Sequence, residues 1–211
     1  MLKKLVTAAL ITSMLILPVN SVGPAGYEEA SLPSQSQDYI PGDLPAQTGA
    51  EESMGPVLHA MLLAMLNHDV KDFDLGDSEL GWEGLYNMLS LYGQLDSRSD
   101  EKNGELFLPE ETVRDYAAAL DADLEALGDL PAGLRDRMNY DNVSCCYLLV
   151  CGEDDQVQVR TDSLRTEGTA LVLSGALVDE VEREDLVRFR AVLRPRDNMF
   201  GYAVSALSIT G

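Results

Sequence analysis

The chain is short of positive charge. Its 211 residues hold 15 Lys and Arg against 36 Asp and Glu, for a net charge of −21. Such a surface repels phosphate backbones and anionic lipid headgroups, so nucleic acid is excluded as a partner, and so is any membrane beyond the export segment described below. Histidine is almost absent, with His59 and His68 alone. They stand nine residues apart, on opposite sides of a helix that turns about 100° per residue, so they cannot share a metal from one helix. A Gly-rich phosphate loop, a G-x-S-x-G elbow and an H-E-x-x-H helix are all missing, which removes the common routes to phosphoryl transfer, serine hydrolysis and zinc proteolysis.

Cysteine is scarce and odd in number. Cys145, Cys146 and Cys151 fall within seven residues, so no complete internal disulfide framework can form. In a strand rising ~3.3 Å per residue, Cys145 and Cys151 lie about 20 Å apart. That is beyond the ~7 Å that a disulfide spans. Cys145 and Cys146 could join only as a strained vicinal pair. No C-x-x-C or neighbouring His offers a metal set. The three read as small buried hydrophobes.

Long apolar runs are missing too, save one of 13 residues from Leu5 to Leu17. It falls short of the ~20 needed to span a bilayer as a helix. Lys3 and Lys4 precede it, Pro18 ends it, and Val19 and Ser21 put small or short residues at −3 and −1 of a cleavage position. This is the layout of a secretory signal. No Cys follows the run to carry a lipid. The expectation is a signal peptide over 1–21, with the product secreted or held on the extracellular face of the cell envelope.

Residues 27–53 are rich in Pro, Ser, Gln, Gly and acid without helical or strand period, and predict a disordered linker over 22–53. A single domain follows over 54–211. Met54, Val57, Leu58, Met61, Leu62, Met65 and Leu66 keep helical spacing, with Pro56 suited to a first turn. Ser78–Tyr92 predicts a second helix stopped by Gly93. A third starts after Pro109 with Glu110 and Glu111 in its first turn and runs through Leu127 to Gly128. A short helical turn falls near Pro131–Met138.

After Asn139 the pattern becomes strand-like. Val143–Cys151, Gln156–Arg165, Thr169–Val178, Leu186–Arg194 and Met199–Ile209 predict strands. Gly152–Asp155, Glu167-Gly168, the acidic stretch Asp179–Asp185 and Pro195–Asn198 lie between them. Helices followed by a strand meander predict an α+β fold, with N-terminal helices packed on one face of a four- to five-stranded antiparallel sheet.

Two patterns carry candidate chemistry. Arg188, Arg190 and Arg194 share one face of a strand by the period-2 rule, opposite Val187, Phe189, Ala191 and Leu193. Guanidinium forks suit phosphate and carboxylate, so the row is a candidate face for an anionic wall polymer or an acidic protein. On a one-sided sheet the same row also reads as a solvated face paired with neighbouring acids. Separately, Asp72, Asp74 and Glu83 occupy positions 1, 3 and 12 of a calcium-loop pattern. Gly76 and Asp77 depart from it at positions 5 and 6, and an acidic loop that caps the Trp82 helix explains the same residues. Calcium is thus the sole candidate cofactor.

Three stretches, WEGLYNMLSLYG (82–93), LPEETVRDYAAAL (108–120) and MFGYAVSALSI (199–209), resemble small exported proteins of uncharacterised function from Gram-positive gut bacteria. The resemblance covers most of residues 72–209 and carries no activity with it. The order of helices and then sheet resembles cystatin-like and NTF2-like folds at the level of architecture.

Together these features point to a non-catalytic exported binding or regulatory module. A small extracellular hydrolase with paired carboxylates and a calcium-stabilised domain are the alternatives. Mass spectrometry of secreted protein tests the export expectation: the N-terminus should be Val22, and an intact Met1 would refute cleavage.

Overall fold

A computed structural model describes residues 49–152 and 156–210. The expected signal over 1–21, the linker up to residue 48 and the centre of the Gly152–Asp155 turn lie outside the described residues. Helix α1 spans Ala50–Asn67, starting four residues before the expected domain boundary. Pro56 therefore sits inside the helix rather than in its first turn, where it withholds one backbone donor. Ala60, Ala64 and His59 are buried along with the Met and Leu stripe. A helix covered on nearly all sides is a central one.

Helix α2, Ser78–Tyr92, has the span its periodicity predicts. Asp77 caps it, its Oδ1 accepting from Glu79 N–H at 3.0 Å and Leu80 N–H at 3.2 Å. Gly93 is not a left-handed cap: at φ −59° it continues into a 3-10 turn. Its glycine is needed for space, since a Cβ would meet Leu106 Cδ2 at 2.9 Å.

The third expected helix is two. Helix α3, Glu110–Ala119, stops before Asp121, which takes φ 61°, and α4, Leu124–Leu127, restarts on an Asp123 cap. Asp is among the few residues that tolerate the left-handed region, so the chain can turn there at small cost. The turn near Pro131–Met138 is a single 3-10 turn, Ala132–Leu134.

The α+β class holds, and its sheets are antiparallel, but there are two of four strands each. The first, ordered β1-β2-β4-β3, is built from β1 Asp100–Lys102, β2 Glu105–Pro109, β3 Met138–Asp141 and β4 Cys146–Val150. The second, β5-β6-β7-β8, comprises β5 Val157–Glu167, β6 Ala170–Asp179, β7 Glu184–Pro195 and β8 Tyr202–Ile209. The expected count of four to five fits only the second sheet and omits β1, β2 and β3. The two inner sheet faces and the helices share one hydrophobic cluster, with Leu106, Leu149, Leu173, Phe189 and Leu193 meeting Met61, Leu62 and Leu85 in it.

The apolar reading of Val143–Cys151 needs correcting. Asp141 accepts from the Val143 and Ser144 N–H groups, making a turn that leaves Val143 94% exposed, and the strand begins only at Cys146. The cysteines are not core residues either: Cys145 is exposed at φ 54°, Cys146 and Cys151 are half-buried, and all three are free thiols.

Three bulges shape the second sheet. Asp162 is extra in β5, Leu186 in β7 and Ser205 in β8. At the first, β5 passes so close to β6 that a Cβ on Gly175 would stand 2.1 Å from the Arg160 carbonyl oxygen. Gly175→Ala should therefore cost about 3 kcal/mol, the upper part of the overpacking range. Gly133→Ala, which meets nothing within 4 Å, should cost far less. Urea midpoints of the two variants check this.

Candidate functional site

The structure places Arg188, Arg190 and Arg194 on one exposed face of β7, as the period-2 rule predicts. In register, Arg160, Ala176 and Arg188 form one row across the sheet, and Ser163, Ser174 and Arg190 the next. Acids stand among them. Arg160 grips Asp185 with both guanidinium nitrogens, at 2.8 and 3.1 Å, and its Nε donates to Asp162 at 3.0 Å. Arg188 reaches Asp185 at 3.2 Å and Asp162 at 3.7 Å, and Arg190 reaches Glu167 at 3.7 Å. The fork of Arg160 lowers the Asp185 pKa, and the two acids raise that of Arg160. Arg194 alone of the three has no ion pair among the described residues. Ala176 is wholly buried on this face, consistent with cover from the aliphatic stems of the arginines beside it. Acids and bases interleave on this face, and Arg160, Arg188 and Arg190 are paired within it.

Sequence reasoning found the arginines but not their partners. Alternation alone puts Asp162 on the face of Arg160; the bulge at Asp162 then shifts the register so that Ser163 takes its place in the next row. Arg160, the best-anchored guanidinium, lies on a different strand from the row.

The calcium-loop residues are not brought together. Asp72 forms a backbone bridge to Ser208 at the edge of β8, flanked by Phe73 N–H to Leu207 C=O at 3.0 Å and Ile209 N–H to Lys71 C=O at 2.7 Å. Asp74 Oδ1 accepts from Gly76 N–H at 2.8 Å. Glu83 lies on α2 and turns to the end of α1, accepting from Asn67 Nδ2 at 2.9 Å and meeting His68 Nε2 at 3.3 Å. Gly76 at position 5 and Asp77 as a helix cap start α2 too early for a twelve-residue loop to wrap a cation. Among the described residues no group of three or more His, Cys, Asp or Glu gathers around one point. His59 is buried in α1, its Nδ1 2.5 Å from the Tyr92 hydroxyl, whereas His68 follows the last residue of that helix and meets Glu83.

A concave site does exist, and neither pattern pointed to it. A cleft of about 220 Å³ opens where the Lys71–Phe73 strap leaves the edge of β8. Phe73 and Leu75 from the strap, Leu120 at the end of α3 and Met61 of α1 give apolar walls. Val204–Leu207, at the β8 bulge, form another side, and Asp74 and Asp121 also line it. Phe73 is fixed from behind: a Cβ on Gly84 of α2 would come within 3.0 Å of its ring. Asp121 holds the left-handed turn between α3 and α4 and accepts from Arg196 Nη1 at 3.2 Å. Ser205 donates its hydroxyl to the Val192 carbonyl at 3.1 Å, which ties down the bulge. The lining comes from four separate chain segments, so no local motif records it.

No family model matches the chain, and no curated protein and no solved structure matches it. No described helix is long and apolar enough to cross a membrane.

Where the structure displaces a carboxyl pKa, it does so downward. Asp96, Glu110, Asp123, Asp141 and Asp185 are all held as anions by hydrogen-bond donors. Asp96 is the most buried. Arg98 donates to it from its backbone at 2.8 Å and from Nε and Nη2 at 3.1 and 2.8 Å, and that side-chain bonding is the chief cause of its lowered pKa. A lowered folded pKa adds stability above the unfolded value of ~3.9. That stability is lost as pH falls through the folded value. Asp96→Asn should lose about 2 kcal/mol at pH 7, the scale of hydrogen bonds to a charged group. It should also show a smaller drop than the parent when acidified below pH ~4, read as urea midpoints against pH.

Proposed function

We propose that the folded domain is a non-catalytic binding or regulatory module acting outside the membrane, and that it binds through the cleft between the strap, α3 and β8. The observation that carries this is the cleft itself: a recess with Phe73, Leu75 and Leu120 in its walls whose accessible lining is more polar than apolar and includes two carboxylates, beside the edge of β8 where the strap ends. Concave sites with apolar walls and a few polar groups are the usual form of a binding site. On the alternative position, the arginine face, Arg188 and Arg190 are already paired with Asp162, Glu167 and Asp185. In this reading the helices cover one face of the second sheet and leave the arginine face to solvent. Export rests on the leader-like N-terminus.

A second reading, hydrolysis by two carboxylates, is favoured by the presence of Asp74 and Asp121 in one cleft. Against it, each is engaged as a plain acceptor, from Gly76 N–H and from Arg196.

Retention of envelope material by immobilised protein separates the readings. The triple change of Arg188, Arg190 and Arg194 to Ala should leave retention within about twofold, a difference under ~0.5 kcal/mol. Ala206→Trp, at an exposed residue that lines the cleft, should abolish it at unchanged melting temperature. The reverse pattern would return binding to the arginine face. Hydrolysis lost in Asp74→Ala and Asp121→Ala would favour the enzyme.

A further inference from the structure

We infer that the cleft takes a cationic group on an aliphatic stem, an alkylammonium or alkylguanidinium, with Asp74 and Asp121 holding the charge and Phe73, Leu75 and Leu120 the stem. The inference rests on the cleft reading above and specifies its ligand.

Three observations carry it. The first is size. At about 220 Å³ the cleft is smaller than the roughly 300–1,000 Å³ of sites for drug-sized ligands, so it suits a group no larger than one side chain. The second is charge. Both ionisable groups in the lining are carboxylates, within a chain at −21, so a cation is drawn in and an anion turned away. Each carboxylate also has capacity to spare. Asp74 uses Oδ1 for Gly76 N–H and Asp121 uses Oδ1 for Arg196, while Oδ2 of each accepts no hydrogen bond from a described residue. The third is that one of the two lining carboxylates, Asp121, already pairs with a cation that does not itself line the cleft. The Arg196 guanidinium, half-exposed on the turn between β7 and β8, reaches Asp121 at 3.2 Å. It reports that this carboxylate takes a guanidinium, and it competes for the same charge.

Two sources could present such a group, a free amine or a Lys or Arg side chain on an extended peptide. The sheet edge bears on the choice. The strap pairs with β8 at Leu207 and Ile209, and the cleft opens beside the next residues, Val204–Ala206. A peptide could add as a strand there while its side chain enters the cleft.

The test is an NMR titration of the full chain with four probes: n-pentylammonium, 1-pentanol, pentanoate and the capped tripeptide acetyl-Val-Lys-Val-amide. Pentylammonium should shift the amide signals of Phe73, Asp121 and Ser205, with pentanol at least tenfold weaker and pentanoate without effect. Asp74→Asn and Asp121→Asn should each weaken pentylammonium about tenfold, equal to ~1.4 kcal/mol. Both keep the fold, because Asn still accepts from Gly76 and tolerates the left-handed turn. Arg196→Gln should tighten binding several-fold by removing the competitor. A tripeptide tighter than pentylammonium identifies a polypeptide source, and equal affinities identify a free amine. Pentanol binding as well as pentylammonium, or Asn variants without effect, would overturn the cation while leaving the cleft as a binding position. Silence of the cleft signals to all four probes would overturn both.

Discussion

The burial of α1 is the constraint on which the other elements depend. Its Met and Leu residues meet α2 on one side and the inner residues of β5, β6 and β8 on another. Because it is covered nearly all round, even its alanines and His59 are inside, and no polar face is left for solvent along most of its length. The helix thereby sets the distance at which the second sheet and α2 can approach. Met61 of this helix lines the cleft, so the position with the best case for function is a by-product of how the core is filled. A gap remains where strap, helix end and bulged strand meet without interdigitating.

Charge tells a complementary story. The acid excess is set by composition, but its placement is not uniform. Seven of the eleven arginines fall after Asp155, where the second sheet is built. There Arg160, Arg165, Arg188 and Arg190 pair with Asp162, Glu167 and Asp185 within and across strands, while Arg196 pairs with Asp121. Exposed pairs of this kind contribute little to stability one by one, typically ~0–1 kcal/mol. Their effect is to cancel the field of the arginine row. Of the two carboxylates in the cleft, Asp121 pairs with Arg196 and Asp74 has no ion pair among the described residues.

Periodicity made much of the fold legible and almost none of the cleft. Helix α2 was readable to the residue because the apolar face of Ser78–Tyr92 keeps helical spacing and Gly93 ends the α-helix, although it does so by passing into a 3-10 turn. Strands β5 and β7 were readable because they alternate, and β6 and β8 because they are apolar runs of strand length bounded by turn residues. The first sheet was not. Its opening hairpin turns on Asn103-Gly104, at φ 57° and 80°, a strong hairpin signal. But β1 is Asp-Glu-Lys, fully exposed, with no apolar alternation to reveal it. The break between α3 and α4 was hidden because Leu120, Leu124 and Leu127 keep helical spacing across it. The cleft could not be read, since Met61, Phe73, Leu120 and Ser205 meet only in the fold.

The two outer strands of the second sheet end in different ways. On β8 the Lys71–Phe73 strap occupies part of the backbone edge. On β5 an eleven-residue strand carries a bulge at its middle, with Arg160, Asp162 and Arg165 around it. A neighbouring chain that began to pair along β5 would lose register at Asp162, because residues before and after the bulge face opposite sides for the same count. Colloidal behaviour follows from this. The second sheet can stay a four-stranded unit among other chains, protected from pairing edge to edge into fibres by one extra aspartate on one flank and three residues of strap on the other.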